Sequence, residues 1–188
     1  MGTRFTEESQ RFRPSSKEDQ VVQKAQEHFE RTLISIQGQL AGSVAALESS
    51  YADSELNYGE IFVRDNVPVM IYLLVQGRFA IVKQFLKVCL DLQSTSVQTR
   101  GVFPTSFVEE EGNLVADYGQ RSIGRITSVD PSLWWPILCW IYVKRSGDTD
   151  FGRSPEVQRG IQLLLDLVLH PSFEGTPVLF VPDCAFMI

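Results

Sequence analysis

Histidine is nearly absent from this chain, with two in 188 residues, and cysteine occurs three times. His28 falls on a helix-like face and His170 stands before a proline. Neither has the Ser, Cys or Asp company of a nucleophile and its base, or the spacing of a metal-ligand cluster. Cys89, Cys139 and Cys184 lie far apart in apolar surroundings. Their number and spacing exclude a disulfide framework or a thiolate metal site and leave buried, reduced thiols. Long apolar runs are also missing. The longest, VPVMIYLLV and LWWPILCWIYV, fall short of the roughly 18 to 20 residues that span a bilayer, so no membrane-spanning helix is expected. The first residues, MGTRFTEESQRFRPSSKED, contain no apolar signal-peptide core. Positive charge is scarce: 17 basic against 23 acidic residues give a net charge of -6. Without a concentrated Lys/Arg face, a nucleic-acid partner is not expected. There is no glycine-rich phosphate loop, fixed-period repeat or low-complexity tract.

What is present is an ordinary globular composition, 44% hydrophobic, enough for one domain with one sizeable core. Residues 1–14 lack a periodic apolar signal and read as a flexible polar tail, and the domain is expected over residues 15–188. Ser15 to Glu18 form a Ser-x-x-Glu capping box. Val22, Ala25, Phe29, Leu33, Ile36 and Leu40 then recur at three and four, which predicts one helix to about Leu47. Asn66 before Val67-Pro68 predicts an N-cap, with Gly77 ending that helix and another running to near Ser94. Asp130-Pro131 and Ser154-Pro155 repeat the cap-then-proline signature, and His170-Pro171 is a stop. Glu-Gly-Asn inside GVFPTSFVEEEGNLVADYG predicts a hairpin. The fold class is therefore all-α, mostly helical, with long loops and short strands. VLFVPDCAFMI is apolar to its last residue, so that end is expected either to be buried or to continue into a longer polypeptide.

Candidate functional residues gather at helix mouths. Arg64, Asp65 and Asn66 offer a guanidinium fork, a charged acceptor and an amide, a set that suits vicinal hydroxyls on a sugar ring. The plainer alternative is that Asn66 caps its helix and Arg64 pairs with a carboxylate. Asp130 precedes Trp134 and Trp135, which could supply an aromatic plate for a sugar face or simply fill the core. Glu109, Glu110 and Glu111 read as a solvated turn. Tyr118 beside Asp117, with Gln120, Arg121 and Ser122, is a weaker candidate for the same rim. Asp183 sits in an extended apolar stretch, where a bare carboxylate is costly to bury.

Taken together, YGEIFVRDNVPVMIYLL, GVFPTSF, DYGQRSIGRITSVDPSLWWPIL and FVPDCAFMI resemble the neutral/alkaline invertases of cyanobacteria and plants, glycoside hydrolase family 100, from about residue 17 to the last residue. The resemblance implies an (α/α)6 toroid, of which this chain would be about the first half, with the active site in a funnel of loops at one end of the inner helices. It implies hydrolysis of sucrose to its hexoses by an inverting mechanism, in the cytoplasm, without metal or other cofactor. Arg64, Asp65, Asn66, Asp130, Trp134, Trp135, Tyr118 and Asp183 are then the expected substrate-binding residues. No catalytic residue is expected among the 188. In the family the FMI motif is followed by Asp-Arg, whose Asp resembles the general acid, and the general base lies further on; Asp183 is not that acid. A partial toroid would show apolar helix faces to water and self-associate. A non-catalytic helical interaction module, or a sugar-binding remnant that docks on a partner, is the alternative.

Overall fold

The computed structural model describes residues 16–45, 58–97, 99–119 and 130–170. The mostly helical expectation holds: six helices and two small antiparallel sheets make up the described residues. Contacts divide the chain into two units, Met1–Arg31 and Thr32–Ile188. The first consists, where described, of nearly all of α1, Lys17–Thr32. Its start is a reciprocal capping box one residue later than the sequence suggested. Ser16 N donates to Asp19 Oδ2 at 3.1 Å, and Asp19 N donates to Ser16 Oγ at 3.1 Å. The expected apolar face is not a buried one, since α1 has no buried residue.

The same helix does not continue to Leu47. It gives way to a hairpin of β1, Leu33–Ile36, and β2, Gln39–Ser43. The spacing of Leu33, Ile36 and Leu40 mimicked a helix, but Gln37 and Gly38 take φ of 52° and 75°. Two consecutive positive φ values make the tight turn that matches strand twist. A register shift between Ile34 and Ser35 lets Leu33 and Ile36, three apart, both be buried in a strand. Gln37 N donates to Glu109 Oε2 at 2.6 Å, tying the hairpin tip to the second sheet. Glu109 is thus a tether as well as part of a solvated turn.

The second sheet runs β3 (Ile61–Phe62), β4 (Ser106–Glu110), β5 (Asn113–Asp117), all antiparallel. The predicted hairpin is β4–β5, turned by Glu111 (φ 51°) and Gly112 (φ 80°). Around these strands lie α2 (Val63–Val75), α3 (Phe79–Asp91), α4 (Asp130–Ser146), α5 (Thr149–Arg153) and α6 (Pro155–Val168). Ser154 caps α6 as expected, accepting from Val157 N. The short α5, capped by Asp148, carries no periodic signal and was not anticipated. The core is Ile61, Met70, Leu73, Val82, Phe85, Leu86, Phe103, Phe107, Trp135 and Leu138. Phe103 stacks on Trp135 with centroids 4.8 Å apart. Cys89 and Cys139 are free buried thiols, and burial pushes both up, Cys139 to about 11. Residues 1–14 and the VLFVPDCAFMI segment lie outside the described residues.

Candidate functional site: the mouths of α2 and α4

The helix holding Arg64, Asp65 and Asn66 begins four residues earlier than its proline suggested. Val63 N donates to Thr105 O at 2.9 Å, so α2 starts directly off β3, and Pro68 falls inside it. The N-cap position is Phe62, with no side-chain cap bond. Asn66 is therefore not a cap. It is 2% exposed; its Oδ1 accepts from Ser43 N at 2.7 Å, and its Nδ2 donates to Ser43 O and Phe62 O, both at 2.9 Å. Three of the amide's four hydrogen-bonding positions are spent on backbone. The side chain clamps α2 to the end of β2.

Arg64, two residues earlier, reaches across to the first residue of α4. Its Nε donates to Asp130 Oδ2 at 2.6 Å and its Nη2 to Asp130 Oδ1 at 2.5 Å. This is a bidentate fork, the strongest geometry available to an Arg–carboxylate pair. Two constellations that stood 66 positions apart are one. The N-terminal ends of α2 and α4 are neighbours, and the pair remains about one-third exposed, open to a ligand.

Asp65 is exposed at the same helix mouth. It lines a small pocket of about 110 Å³ with Ser43, Glu60 and Asn66. Glu60 was not singled out from the sequence. It is buried, and Ser106 Oγ donates to its Oε2 at 2.6 Å. The available signal was an isolated acid between Gly59 and an apolar strand, where a carboxylate must find a partner.

The two tryptophans separate. Trp135 fills the core, and its Nε1 donates to Leu86 O at 3.0 Å. Trp134 is 39% exposed and offers an indole face on the outer side of α4. Tyr118 is half-buried and donates to Leu92 O at 2.5 Å, at the far end of α3; burial pushes its phenol up. Asp117, beside it, is buried and accepts from Gly119 N. Gln120, Arg121, Ser122 and Asp183 lie outside the described residues. Among the described residues no group of three or more His, Cys, Asp or Glu is arranged to hold a metal ion. What the structure brings together is the paired guanidinium of Arg64 and carboxylate of Asp130; Asp65 lines a separate small pocket, and Trp134 is exposed one turn along α4 from Asp130.

Comparison with known proteins shows the family. A family model described as alkaline and neutral invertase matches residues 25–188. The alkaline/neutral invertase CINV1 of Arabidopsis thaliana is 37% identical over 180 residues, 89% of this chain and 32% of that protein. The mitochondrial neutral/alkaline invertase 1 of Oryza sativa subsp. japonica is 37% identical over 191 residues, 93% of this chain and 30% of its own. Cytosolic invertase 1 of the same plant is 36% identical over 180 residues, covering 89% and 32%. The chain thus spans about a third of the length of the curated relatives it matches. Over most of its own length, this chain belongs to the alkaline and neutral invertase family.

Proposed function

We propose that the chain is an N-terminal portion of a sucrose-hydrolysing invertase, carrying part of the substrate pocket but neither catalytic carboxylate. The observation that carries the reading is the Arg64–Asp130 fork joining the mouths of α2 and α4. In the reaction the family implies, one carboxylic acid protonates the glycosidic oxygen while a second carboxylate activates water on the opposite face. Such inverting pairs stand roughly 6.5 to 9.5 Å apart. On this reading Arg64, Asp65, Asp130 and Trp134 hold the sugar, Asn66 and Trp135 hold the walls in place, and the acid and base belong to sequence after Ile188. Tyr118 and Asp183 are proposed as secondary substrate contacts. The helices are then part of an (α/α)6 toroid. Sucrose and its hexoses are the ligands, and no cofactor or nucleic acid takes part.

Cytoplasmic location is part of the same proposal. Relatives are named cytosolic, mitochondrial and chloroplastic, and no described helix is long and apolar enough to cross a membrane.

A sucrose hydrolysis assay with a sensitive glucose readout is the test. The purified chain should show no turnover, because it lacks a proton donor whose contribution is roughly 10²- to 10⁴-fold. Sustained turnover overturns the incomplete-site reading. Sucrose binding by the chain should be detectable and weakened by Asp65→Ala or Arg64→Ala.

A second reading, a helical module that docks on a partner or on itself, is favoured by one feature. Leu133, Ile137 and Trp140 line up on the outer face of α4, with Trp140 63% exposed. A stoichiometric partner retained on purification, without sucrose affinity, would favour this reading over the first.

A further inference from the structure

A second polar site lies on α6, away from the helix mouths, and does not depend on the sucrose reading. Arg159, Gln162 and Asp166 recur at three and four along α6 and are all exposed, so they form one stripe on the helix. Beside that stripe the loop after α3 lies hard against the helix. Gly101 has φ +96°, and a Cβ there would sit 2.5 Å from Leu163 O; only glycine allows both the conformation and the approach. The loop is held by Gly101 N to Ser94 O and Ser94 N to Val102 O, both at 2.8 Å. Buried Gln93 then stitches it to the helix, its Nε2 donating to Gly101 O and Gly160 O at 2.9 Å each.

This locked loop presents Arg100 to the α6 stripe. Arg100, Arg159, Gln162 and Asp166 together line an open groove of about 680 Å³. Its volume is within the range of small-molecule sites, roughly 300 to 1,000 Å³. Neither guanidinium forms an ion pair with another described residue. In a chain of net charge -6, two arginines from different elements thus line one groove, with a carboxylate beside them. Two guanidiniums suit the oxygens of a dianionic phosphoryl group. Asp166 and Gln162 supply acceptors and a donor for hydroxyls.

The geometry points to a binding site for a small phosphorylated polyol, with Arg100 and Arg159 on the phosphoryl group and Gln162 and Asp166 on the hydroxyls. Isothermal titration of the full chain with glucose 6-phosphate, inorganic phosphate and glucose tests this. Glucose 6-phosphate should bind saturably and inorganic phosphate more weakly, while any glucose binding, at the α2 and α4 mouths, should be unchanged by Arg100→Gln or Arg159→Gln. Arg100→Gln or Arg159→Gln should each weaken glucose 6-phosphate about tenfold, the effect of losing one charge-assisted pair, with the melting temperature unchanged. Lys144→Gln, an exposed charge on α4, should leave binding as it was. Absence of saturable binding, full affinity in the double arginine variant, or an equal loss from Lys144→Gln overturns the site. Equal affinity for inorganic phosphate and glucose 6-phosphate overturns the role given to Gln162 and Asp166.

Discussion

Asn66 shows how one side chain can take a different role from the one its neighbours suggest. Asn before Val-Pro is a cap signature, yet here the amide is buried and bonded to three backbone groups of Ser43 and Phe62. Asn66→Leu should lower stability by about 2 to 3 kcal/mol, because it leaves buried backbone donors and acceptors unmet. Chemical denaturation should show this as an earlier midpoint with an unchanged slope. Asp148 is held by three groups at once. It accepts from Lys83 Nζ at 2.7 Å, Tyr142 Oη at 2.8 Å and Phe151 N at 3.1 Å. These bonds, Lys83 first, hold its carboxyl down at about 2, while burial and the same carboxylate push the Tyr142 hydroxyl up to about 12. A carboxyl whose folded value lies below its unfolded one, about 3.9, adds stability above the unfolded value and loses it as pH falls toward the folded one. Melting temperature should therefore drop between about pH 4 and 2, and Asp148→Asn should flatten that limb.

At the scale of elements, the β4–β5 turn and the Ser154 cap were readable, while the start of α2, placed at Asn66 by its cap signature, and long-range contacts were not. The β4–β5 hairpin and the starts of α4 and α6 follow from Glu-Gly-Asn, Asp130-Pro131 and Ser154-Pro155, all local signals. The first helix was overextended because Leu33, Ile36 and Leu40 keep helical spacing. Only the positive φ values at Gln37 and Gly38, with the Glu109 tether 72 residues away, make the segment a hairpin. Similarly, Gly160 inside α6 looks like a weak helix position, but it is a contact. A Cβ there would lie 2.4 Å from Leu90 Cδ1 and 3.1 Å from Gln93 Oε1. Gly160→Ala should gain up to about 1 kcal/mol of helix propensity and lose part of it to displacement of the half-buried Leu90 side chain. Adding Leu90→Ala should recover part of that loss in a double-mutant denaturation series, and strict additivity would contradict the contact.

For the whole molecule, the exposed row on α4 is the feature most out of keeping with a self-sufficient monomer. Leu133, Ile137 and Trp140 on one helix face, with Trp134 beside them and Ile71 and Val75 on α2, are apolar groups in water. The chain should associate with itself in a concentration-dependent way in sedimentation velocity. Ile137→Glu with Trp140→Lys should shift it toward monomer without loss of helical signal. A strictly monomeric chain at high concentration would remove the support that this face lends to the docking reading.

By itself the sequence determined the family, the helical class, the hairpin turn and the Ser154 cap, because each depends on a few adjacent residues whose backbone preferences act alone. It also marked Arg64 and Asp130 as candidates. Only the tertiary structure decided that these two hold each other, that Asn66 clamps a strand, that Trp134 and Trp135 part company, and that Arg100 and Arg159 line one groove. Each of those facts is a pairing between distant positions, and such a pairing depends on which faces the packed core brings together.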